Sequence, residues 1–433
     1  MLFRQFRRIL QLYEQRSMSS SQVNVALQDG KLCTPAFKAI SSELRHIAEL
    51  FQRRGHELRL VGGVVRDLLL GIEPKDVDLA TDATPAEMVA LCEAHRLRYY
   101  ETGLKHGTIT LHVNRKDVEV TTLRIDRVTD GRHAEVDFTK DWRLDAERRD
   151  LTINAMYLDF DGVLFDYFEG QRDLKERRVA FVGDARARIK EDYLRILRYF
   201  RFYGRIGTCA DAHDADTLGA IQENANGLRT IATERIWMEM SKIIVGNFAP
   251  DMMTLMYRLG VAKAIGLPNN GSLEEFRIVH ERMKGYSPNP VTLLVSLDQT
   301  ANDVQELAKH WRLSNAEKRL GAFIVKNREL KKDDVNPVKP YQTIIASSLS
   351  DLREEYRKYT VELLRYVGQH ELVGRIVDWQ IPIFPVSGGD LVAIGMKPGP
   401  AFKEIMTKLK MLWIEKDFEA TKEELLDSLK LHA

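Results

Sequence analysis

The stretch LVGGVVRD at residues 60–67, followed by DVD at residues 76–78, is the part of the sequence that says most about the fold and chemistry of this chain. Two adjacent glycines, Gly62 and Gly63, let backbone N–H groups approach a phosphate with no Cβ in the way. The apolar residues before the glycines predict a short buried strand. The residues after them predict a helix whose N-terminus faces the same anion, with Arg66 adding a positive charge in its first turn. The stretch therefore predicts a turn that holds phosphate.

Two carboxylates follow this turn. Asp76 and Asp78 alternate with apolar residues over 75–80, so a strand would point both to one face. Parallel carboxylates repel each other unless a cation lies between them, and Mg²⁺ takes oxygen ligands while keeping substrate phosphates in its shell. Each pattern alone is common in loops. Their order and spacing predict Mg²⁺-dependent phosphoryl or nucleotidyl transfer.

A third acid is expected if two metal ions share the site. Residues 117–123 alternate polar and apolar side chains and are rich in β-formers, which predicts a strand beside that of the two aspartates. Glu119 lies on its polar face and is the more central candidate, while Asp117 on the same face stays the alternative. Either could instead be an exposed strand residue.

A second polar group comes from residues 146–156, a predicted helix. Asp150 and Asn154 are four residues apart and so share a face, with Arg149 adjacent. An Asp accepts from a ribose hydroxyl, an Asn donates to a phosphate oxygen and an Arg neutralises charge. A surface pair that only caps a helix is the alternative.

The run at residues 189–202 predicts a helix on which Asp192, Arg195 and Arg198 recur every three residues. Cytosine and adenine both present an exocyclic amine beside a ring-nitrogen acceptor, so Asp192 could accept while Arg195 donates. Uracil and guanine reverse that pattern and would leave buried groups unpaired. The pattern therefore predicts selection of C and A without a template, whereas a surface ion pair worth about 0.2–0.5 kcal/mol is the alternative.

Taken in order, these motifs resemble the class II CCA-adding tRNA nucleotidyltransferases of the polymerase-β-like nucleotidyltransferase superfamily, in their animal mitochondrial and nucleocytosolic form. The resemblance extends over most of the chain, and its motifs lie at residues 62–67 with 76–81, 148–155, 166–174, 191–198 and 234–235. It implies ordered addition of C, C and A to the 3′ end of tRNA from CTP and ATP. The tRNA 3′-OH would attack the nucleotide α-phosphate at two Mg²⁺ ions, with release of pyrophosphate.

The resemblance and the residue chemistry together give an expected site. The catalytic residues are Asp76, Asp78 and Glu119, and the first two hold the metal. Contacts with the nucleotide are expected from Gly62, Gly63, Arg66, Arg149, Asp150, Asn154, Asp192, Arg195 and Arg198.

Further contacts with RNA are expected from Arg201 and Arg205, because the basic stripe at 186–205 can follow an RNA backbone. A solvated helix face is the alternative. The resemblance also implies that a mobile loop around residues 130–133 helps the switch from CTP to ATP.

Composition sets the remaining limits. The 433 residues are 44% hydrophobic and carry a formal net charge of +1, so the chain can bury a sizeable core and is not a global polycation. The three cysteines have no metal-ligand spacing, and no apolar run reaches membrane-spanning length, so neither a zinc site nor a membrane is expected.

The expected fold is α+β, an N-terminal nucleotidyltransferase head with a small mixed sheet followed by an all-α neck, body and tail. The predicted boundaries are 1–29 for a leader, 30–168 for the head, 169–260 for the neck, 261–365 for the body and 366–433 for the tail.

The N-terminus has its own character. Four arginines among apolar residues, with no acid before Glu14, predict a mitochondrial presequence, and Met18 could start a shorter cytosolic or nuclear form. An ordinary disordered tail is the alternative. Monomer and homodimer both stay open. Competing functions are a bacterial-type poly(A) polymerase and an inactive RNA-binding relative that keeps the fold.

Overall fold

The computed structural model describes residues 27–28, 30–129, 134–297, 300–331, 333–348, 352–397 and 399–429. The predicted presequence and the 130–133 loop lie outside the described residues. The chain divides into two compact units, one of residues 1–269 with 310–312 and one of residues 270–309 with 313–433. The finer division into leader, head, neck, body and tail stays a prediction.

Within the described residues every strand belongs to the first unit. The strands are β1 Leu27–Gln28, β2 Lys31–Leu32, β3 Leu58–Val61, β4 Asp78–Thr81, β5 Tyr99–Gly103, β6 Thr108–Val113, β7 Lys116–Thr122, β8 Arg124–Thr129, β9 Ala134–Phe138, β10 Met156–Leu158 and β11 Leu164–Asp166. Seven of them form one sheet in the order β11-β10-β3-β4-β7-β6-β5, while β1-β2 and β8-β9 form separate two-stranded sheets. The β4–β7 pair is parallel and the other neighbours in the large sheet are antiparallel. The predicted small mixed sheet is confirmed.

Helices account for most of the remaining chain. In the first unit they are α1 Pro35–Arg53, α2 Gly63–Leu69, α3 Pro85–Ala94, α4 Trp142–Glu147, α5 Gly170–Lys175, α6 Ala185–Glu191, α7 Leu194–Ile206, α8 Ala215–Asn224, α9 Thr233–Ile243, α10 Ala249–Arg258 and α11 Val261–Ala264. Those that follow are α12 Leu273–Arg282, α13 Pro290–Leu294, α14 Ala301–His310, α15 Asn315–Asn327, α16 Lys339–Ser347, α17 Arg353–Tyr366, α18 Val373–Val377, α19 Gly388–Ala393, α20 Pro400–Glu415 and α21 Lys422–Ser428. The predicted helical character beyond residue 206 is confirmed for the part of the chain that is described. None of the described helices combines the length and the apolar character needed to cross a membrane.

The glycine turn follows the central strand β3, all of whose residues are buried. Gly62 adopts φ 71° and ψ −117°, a conformation that L side chains rarely take, and α2 begins at the next residue. A buried strand, a glycine turn and a short helix therefore stand where the sequence predicts them.

The two aspartates do not share a strand, contrary to the prediction. Asp76 lies in a bend before β4, and the strand begins only at Asp78. The predicted neighbour is correct, because β7 pairs with β4 in parallel and sets Glu119 directly opposite Asp78. The parallel pairing thus places one acid of β4 beside one acid of β7, at the residue where β4 begins.

Two predicted helices are also wrong in part. Residues 150–154 are not α-helical, because Leu151 bridges to Phe181 in extended conformation before a 3₁₀ turn at Thr152–Asn154. The 189–202 helix is interrupted at Asp192, which has φ −151° and ψ 105°. There the aspartate carboxylate accepts from the N–H of Leu194, so a local hydrogen bond competes with the helical ladder.

Gly170 permits the closest approach of α5 to the 152–154 turn. A Cβ built at this residue would lie 2.2 Å from the carbonyl oxygen of Thr152 and 2.9 Å from Cγ of Met156. We predict that Gly170→Ala lowers the free energy of unfolding by more than about 2 kcal/mol, since a backbone oxygen cannot yield as a flexible side chain does. Gly374→Ala in α18 is the matched control, because a Cβ there meets nothing within 4 Å, and its effect should stay within about 1 kcal/mol. Urea unfolding measures both, and equal stabilities of the two variants would contradict the packing described.

Candidate active site

One cleft in the first unit gathers the candidate residues. It has a volume of about 1210 Å³, above the roughly 300–1,000 Å³ typical of small-molecule sites. Its walls come from the glycine turn, from β4 and β7, and from helices α7 and α9. Every site residue predicted from the sequence lines it: Gly62, Gly63, Arg66, Asp76, Asp78, Glu119, Arg149, Asp150, Asn154, Asp192, Arg195, Arg198, Arg201 and Arg205.

Acidic side chains crowd one end of this cleft. The partial desolvation of Asp78, the nearby charge of Glu119 and that of Asp76 together raise the pKa of the Asp78 carboxyl. Asp117 lines a neighbouring depression with these acids, and its Oδ1 lies 2.7 Å from Nδ1 of His112. No three acidic, histidine or cysteine side chains among the described residues converge closely enough to ligate one ion alone. Asp78 and Glu119 therefore form a carboxylate pair on two neighbouring strands, and Asp76 is a third acid nearby.

The glycine turn packs against two residues of the predicted nucleotide group. A Cβ at Gly62 would lie 3.3 Å from Nη1 of Arg149 and 3.4 Å from the carbonyl oxygen of Asn154. Arg66 is 4% exposed, donates to Asn154 Oδ1 and pairs with Asp67 at 2.9 Å. Burial and the charge of Arg205 lower the pKa of Arg66, although Asp67 opposes them. The turn, Arg66 and Asn154 thus form one contiguous wall.

Asp150 stands at the centre of this wall. Its Oδ2 accepts from Nε of Arg198 at 2.6 Å, and its Oδ1 accepts from Nδ2 of Asn154 at 3.3 Å. Burial alone would raise the pKa of Asp150, but the charge and hydrogen bond of Arg198 outweigh it and hold that pKa below its usual range. The four-residue spacing does bring Asp150 and Asn154 together, through a turn and not a helix.

Asp192 and Arg195 lie where α6 meets α7. The second carboxylate oxygen of Asp192, Oδ2, accepts from Nη2 of Arg235 in α9 at 2.9 Å. Arg195 donates from Nη1 to Glu191 and to the carbonyl of Arg188, and from Nη2 to the carbonyl of Arg148. Within the described residues its Nε–H and one Nη2–H therefore keep no partner, out of five N–H donors.

The two arginines expected to contact RNA both form ion pairs. Arg201 donates from Nη1 to Oε1 of Glu239 at 2.9 Å, and burial is the main factor that lowers its pKa to about 10. Arg205 donates from Nη2 to both oxygens of Asp67 at 2.9 and 2.8 Å, while 44% of its side chain stays exposed.

Sequence reasoning missed Asp145, the buried acid beneath the cleft. Asp145 is 1% exposed and accepts from Arg148, from Arg149 at 3.0 Å and from the hydroxyl of Tyr157 at 2.6 Å. Burial would raise its pKa, but the two guanidiniums and the hydroxyl hold the pKa of Asp145 well below its usual range. The three- and four-residue spacing to the arginines could have revealed it. Asp67, Phe202 and Glu239 were also missed, and only Asp67, next to Arg66, carried a sequence signal.

Known proteins match this chain over most of its length. A family model described as "Poly A polymerase head domain" matches residues 58–180, and one described as "Probable RNA and SrmB- binding site of polymerase A" matches residues 214–268. The chain is 50% identical over 406 residues to the human "CCA tRNA nucleotidyltransferase 1, mitochondrial", covering 92% of this chain and 93% of the relative. It is 31% identical over 401 residues to the "CCA-adding enzyme" of Leuconostoc citreum, covering 89% and 94%.

Solved structures agree with the sequence relatives. The CCA-adding enzyme of Bacillus stearothermophilus in complex with CTP superposes with a TM-score of 0.74 at 26% identity, covering 92% of this chain and 99% of that one. A Thermotoga maritima CCA-adding enzyme complexed with tRNA shares the fold, with a TM-score of 0.63 at 19% identity, covering 93% and 97%. By sequence identity and by fold, this chain belongs to the family of CCA-adding tRNA nucleotidyltransferases.

Proposed function

We propose that this enzyme adds C, C and A to the 3′ end of tRNA, using CTP and ATP and releasing pyrophosphate. The observation that carries the proposal is the single cleft in which the Asp78–Glu119 pair, the glycine turn and Asp192 all take part. Its volume exceeds what one small ligand requires, which suits a nucleoside triphosphate together with the end of an RNA strand. In the reaction the terminal 3′-OH of tRNA attacks the α-phosphorus, and the bond to pyrophosphate breaks in line.

The family uses a divalent metal, and we assign its binding to Asp76 and Asp78, with Glu119 assisting. The donor set fits Mg²⁺, which is commonly held by one or two carboxylates while waters and substrate phosphates complete its shell. A site that is finished only by substrate also accounts for the lack of three converged ligands among the described residues. Bound Mg²⁺ would stabilise negative charge on the attacking and departing oxygens. Glu119 is preferred to Asp117 because it is in register with Asp78, whereas Asp117 already contacts His112.

The other cleft residues orient the nucleotide. Backbone N–H groups at Gly62 and Gly63, with Arg66 and Arg149, would hold the triphosphate, because guanidiniums and turn amides both favour phosphate oxygens. Asn154 would donate to a phosphate oxygen and Asp150 would accept from a ribose hydroxyl.

Base selection is assigned to the junction of α6 and α7. A carboxylate has about four acceptor positions, so Asp192 can accept from the exocyclic amine of cytosine or adenine while it stays bonded to Leu194 and Arg235. The remaining Nε–H and Nη2–H of Arg195 would donate to the ring nitrogen. Because backbone carbonyls fix this guanidinium, its donors are preorganised for one hydrogen-bond pattern.

For RNA contact, Arg205 is the stronger of the two candidates, since nearly half of its side chain is exposed at the cleft. Arg201 is more buried, and its contribution to RNA affinity would be smaller. We also propose a mitochondrial location, in keeping with the names of the human, mouse and zebrafish relatives. We further propose a shorter cytosolic or nuclear form that starts at Met18, and a division of the chain into leader, head, neck, body and tail. The proposed function is compatible with a monomer and with a homodimer.

The activity is tested with purified protein, Mg²⁺ and a tRNA that lacks its last three nucleotides. With CTP and ATP we expect product ends that read CCA, and with CTP alone we expect two added C residues, seen by sequencing the 3′ ends. The name of the matched head-domain model makes poly(A) polymerase the rival. Extension by A alone, with no C incorporated, would establish that rival and reject the proposal.

Asp78→Asn tests the metal role. Since neighbouring acids and partial desolvation already oppose the charge on this carboxylate, the variant should melt no lower than the wild type. Addition of C and of A should each fall by more than about 100-fold, because charge stabilisation at the reacting phosphate is lost. Glu119→Gln and Asp117→Asn form a matched pair, of which only the first should lower turnover strongly. Differential scanning fluorimetry measures the melting temperatures, and single-turnover assays measure the rates of addition. Substantial turnover by Asp78→Asn would show that Asp78 does not bind the metal.

Asp192→Ala tests base selection. Without the acceptor, UTP and GTP no longer meet a repulsive carboxylate, so their incorporation relative to CTP and ATP should rise by more than about 10-fold. The Mg²⁺ concentration needed for half-maximal activity should stay within about 2-fold, because Asp192 is not among the residues that we assign to the metal. Competition between labelled nucleotides measures the ratio. Unchanged discrimination in a folded variant would exclude Asp192 from the base pocket.

A further inference from the structure

Asp145 of α4 is a buried acid whose two oxygens hold residues of the cleft wall. Its Oδ1 accepts from Nε of Arg148 at 2.9 Å and from the backbone N–H of Arg124 at 3.1 Å. Its Oδ2 accepts from Nη2 of Arg149 at 3.0 Å and from the hydroxyl of Tyr157 at 2.6 Å. The three arginines line the cleft, whereas Asp145 does not. This carboxylate, which is 1% exposed, therefore fixes the wall from behind.

Arg149 uses one side of its guanidinium for this contact. Its Nε and Nη2 lie 3.3 and 3.0 Å from Oδ2 of Asp145. Its third nitrogen, Nη1, lies against the glycine turn, 3.3 Å from the position of a Cβ at Gly62. Because a guanidinium is planar and rigid, fixing two of its nitrogens also fixes the direction of the third. Asp145 therefore determines how Nη1 meets the turn.

Arg148 shows that the contact with the turn is particular to Arg149. The same carboxylate holds Arg148 through Nε and Nη2, at 2.9 and 2.8 Å. Atoms of Arg149, but none of Arg148, lie within 4 Å of a Cβ built at Gly62. Two arginines with the same acidic partner thus differ in whether they reach the turn.

We propose that Asp145 is a positioning residue for the triphosphate: it aligns the guanidinium of Arg149 so that Nη1 meets phosphate oxygens beside Gly62. The inference rests on the proposed function, because it assumes that Arg149 and the glycine turn hold the triphosphate. Asp145 contacts no substrate and acts through Arg149. A guanidinium that is already aligned loses less conformational entropy when phosphate binds. Tyr157 supports the alignment, since its hydroxyl donates to the same oxygen that holds Arg149.

The test is a double-mutant cycle of Asp145→Asn and Arg149→Gln, assayed as addition of C at saturating tRNA. Asp145→Asn keeps the size of the side chain and removes the charge that aligns Arg149, so kcat/KM for CTP should fall by more than about 10-fold. Arg149→Gln removes the guanidinium and should lower kcat/KM at least as much. In the Arg149→Gln background, Asp145→Asn should lower it less than about 3-fold further, because no guanidinium is left to align.

Arg148→Gln gives the matched cycle, since Asp145 holds this arginine in the same way. In that background Asp145→Asn should still lower kcat/KM by more than about 5-fold, because Arg149 is present. If Asp145→Asn fails to fold by thermal melting, Tyr157→Phe replaces it, since it keeps every charge and removes only the hydroxyl bonded to Asp145. Its loss of kcat/KM should exceed about 3-fold and vanish in the Arg149→Gln background.

Glu362→Gln is the control for loss of a buried acidic charge. Glu362 of α17 has a side chain that is 16% exposed, accepts from the hydroxyl of Thr292 at 2.9 Å and lies 3.8 Å from Arg365. It does not line the cleft, so kcat/KM for CTP should stay within about 2-fold of the wild type.

Two results would overturn the inference. One is the same loss from Asp145→Asn in the wild-type and Arg149→Gln backgrounds, as a purely structural role gives. The other is a kcat/KM for Asp145→Asn within about 2-fold of the wild type. The wild-type protein is assayed first with CTP, Mg²⁺ and tRNA. If it adds no C, the proposed function fails and the inference with it, whereas either of the two results in a protein that adds C rejects the inference alone.

Discussion

The main electrostatic constraint on the cleft is the mutual repulsion of the carboxylates at one end of it. Parallel pairing of β4 with β7 sets Asp78 against Glu119, and Asp76 lies in the bend just before. Partial burial is the largest cause that raises the pKa of Asp78, and the charges of Glu119 and Asp76 add to it. A divalent cation bound together with a polyphosphate would relieve this repulsion. Under the proposed mechanism, binding energy would then be directed at the reacting phosphate.

Unlike the carboxylates, five arginines of the cleft are already paired with side chains of opposite charge in the protein without ligand. Asp145 fixes Arg148 and Arg149, Asp67 fixes Arg66 and Arg205, and Glu239 fixes Arg201. Fixed guanidiniums lose little conformational entropy when phosphate binds. The acids also limit the net charge of the cleft, so it is not a broad basic surface. This agrees with a chain whose formal net charge is only +1.

Sequence patterns predicted which residues meet in the cleft better than they predicted the local backbone. The glycine turn and the strand carrying Glu119 were predictable because hydrophobic alternation and glycine pairs are local signals. The break at Asp192 was not, since it depends on a side chain that caps Leu194 and on Arg235 more than forty residues away. The extended entry to the 152–154 turn likewise depends on the bridge between Leu151 and Phe181. Glu239 has no local sequence signal, because its ion pairs with arginines of α7 form only where α9 packs on α7.

The most direct measurement is a crystal structure of the protein with CTP and Ca²⁺, an ion that can occupy oxygen sites of this kind while slowing turnover. We predict that the α-phosphorus lies beside Asp76 and Asp78, with density for a cation between them and the phosphate. We also predict that the amine of cytosine lies within hydrogen-bond distance of Asp192. A nucleotide bound with its α-phosphorus remote from these aspartates, or with its base edge turned away from the α6–α7 junction, would contradict this mechanism.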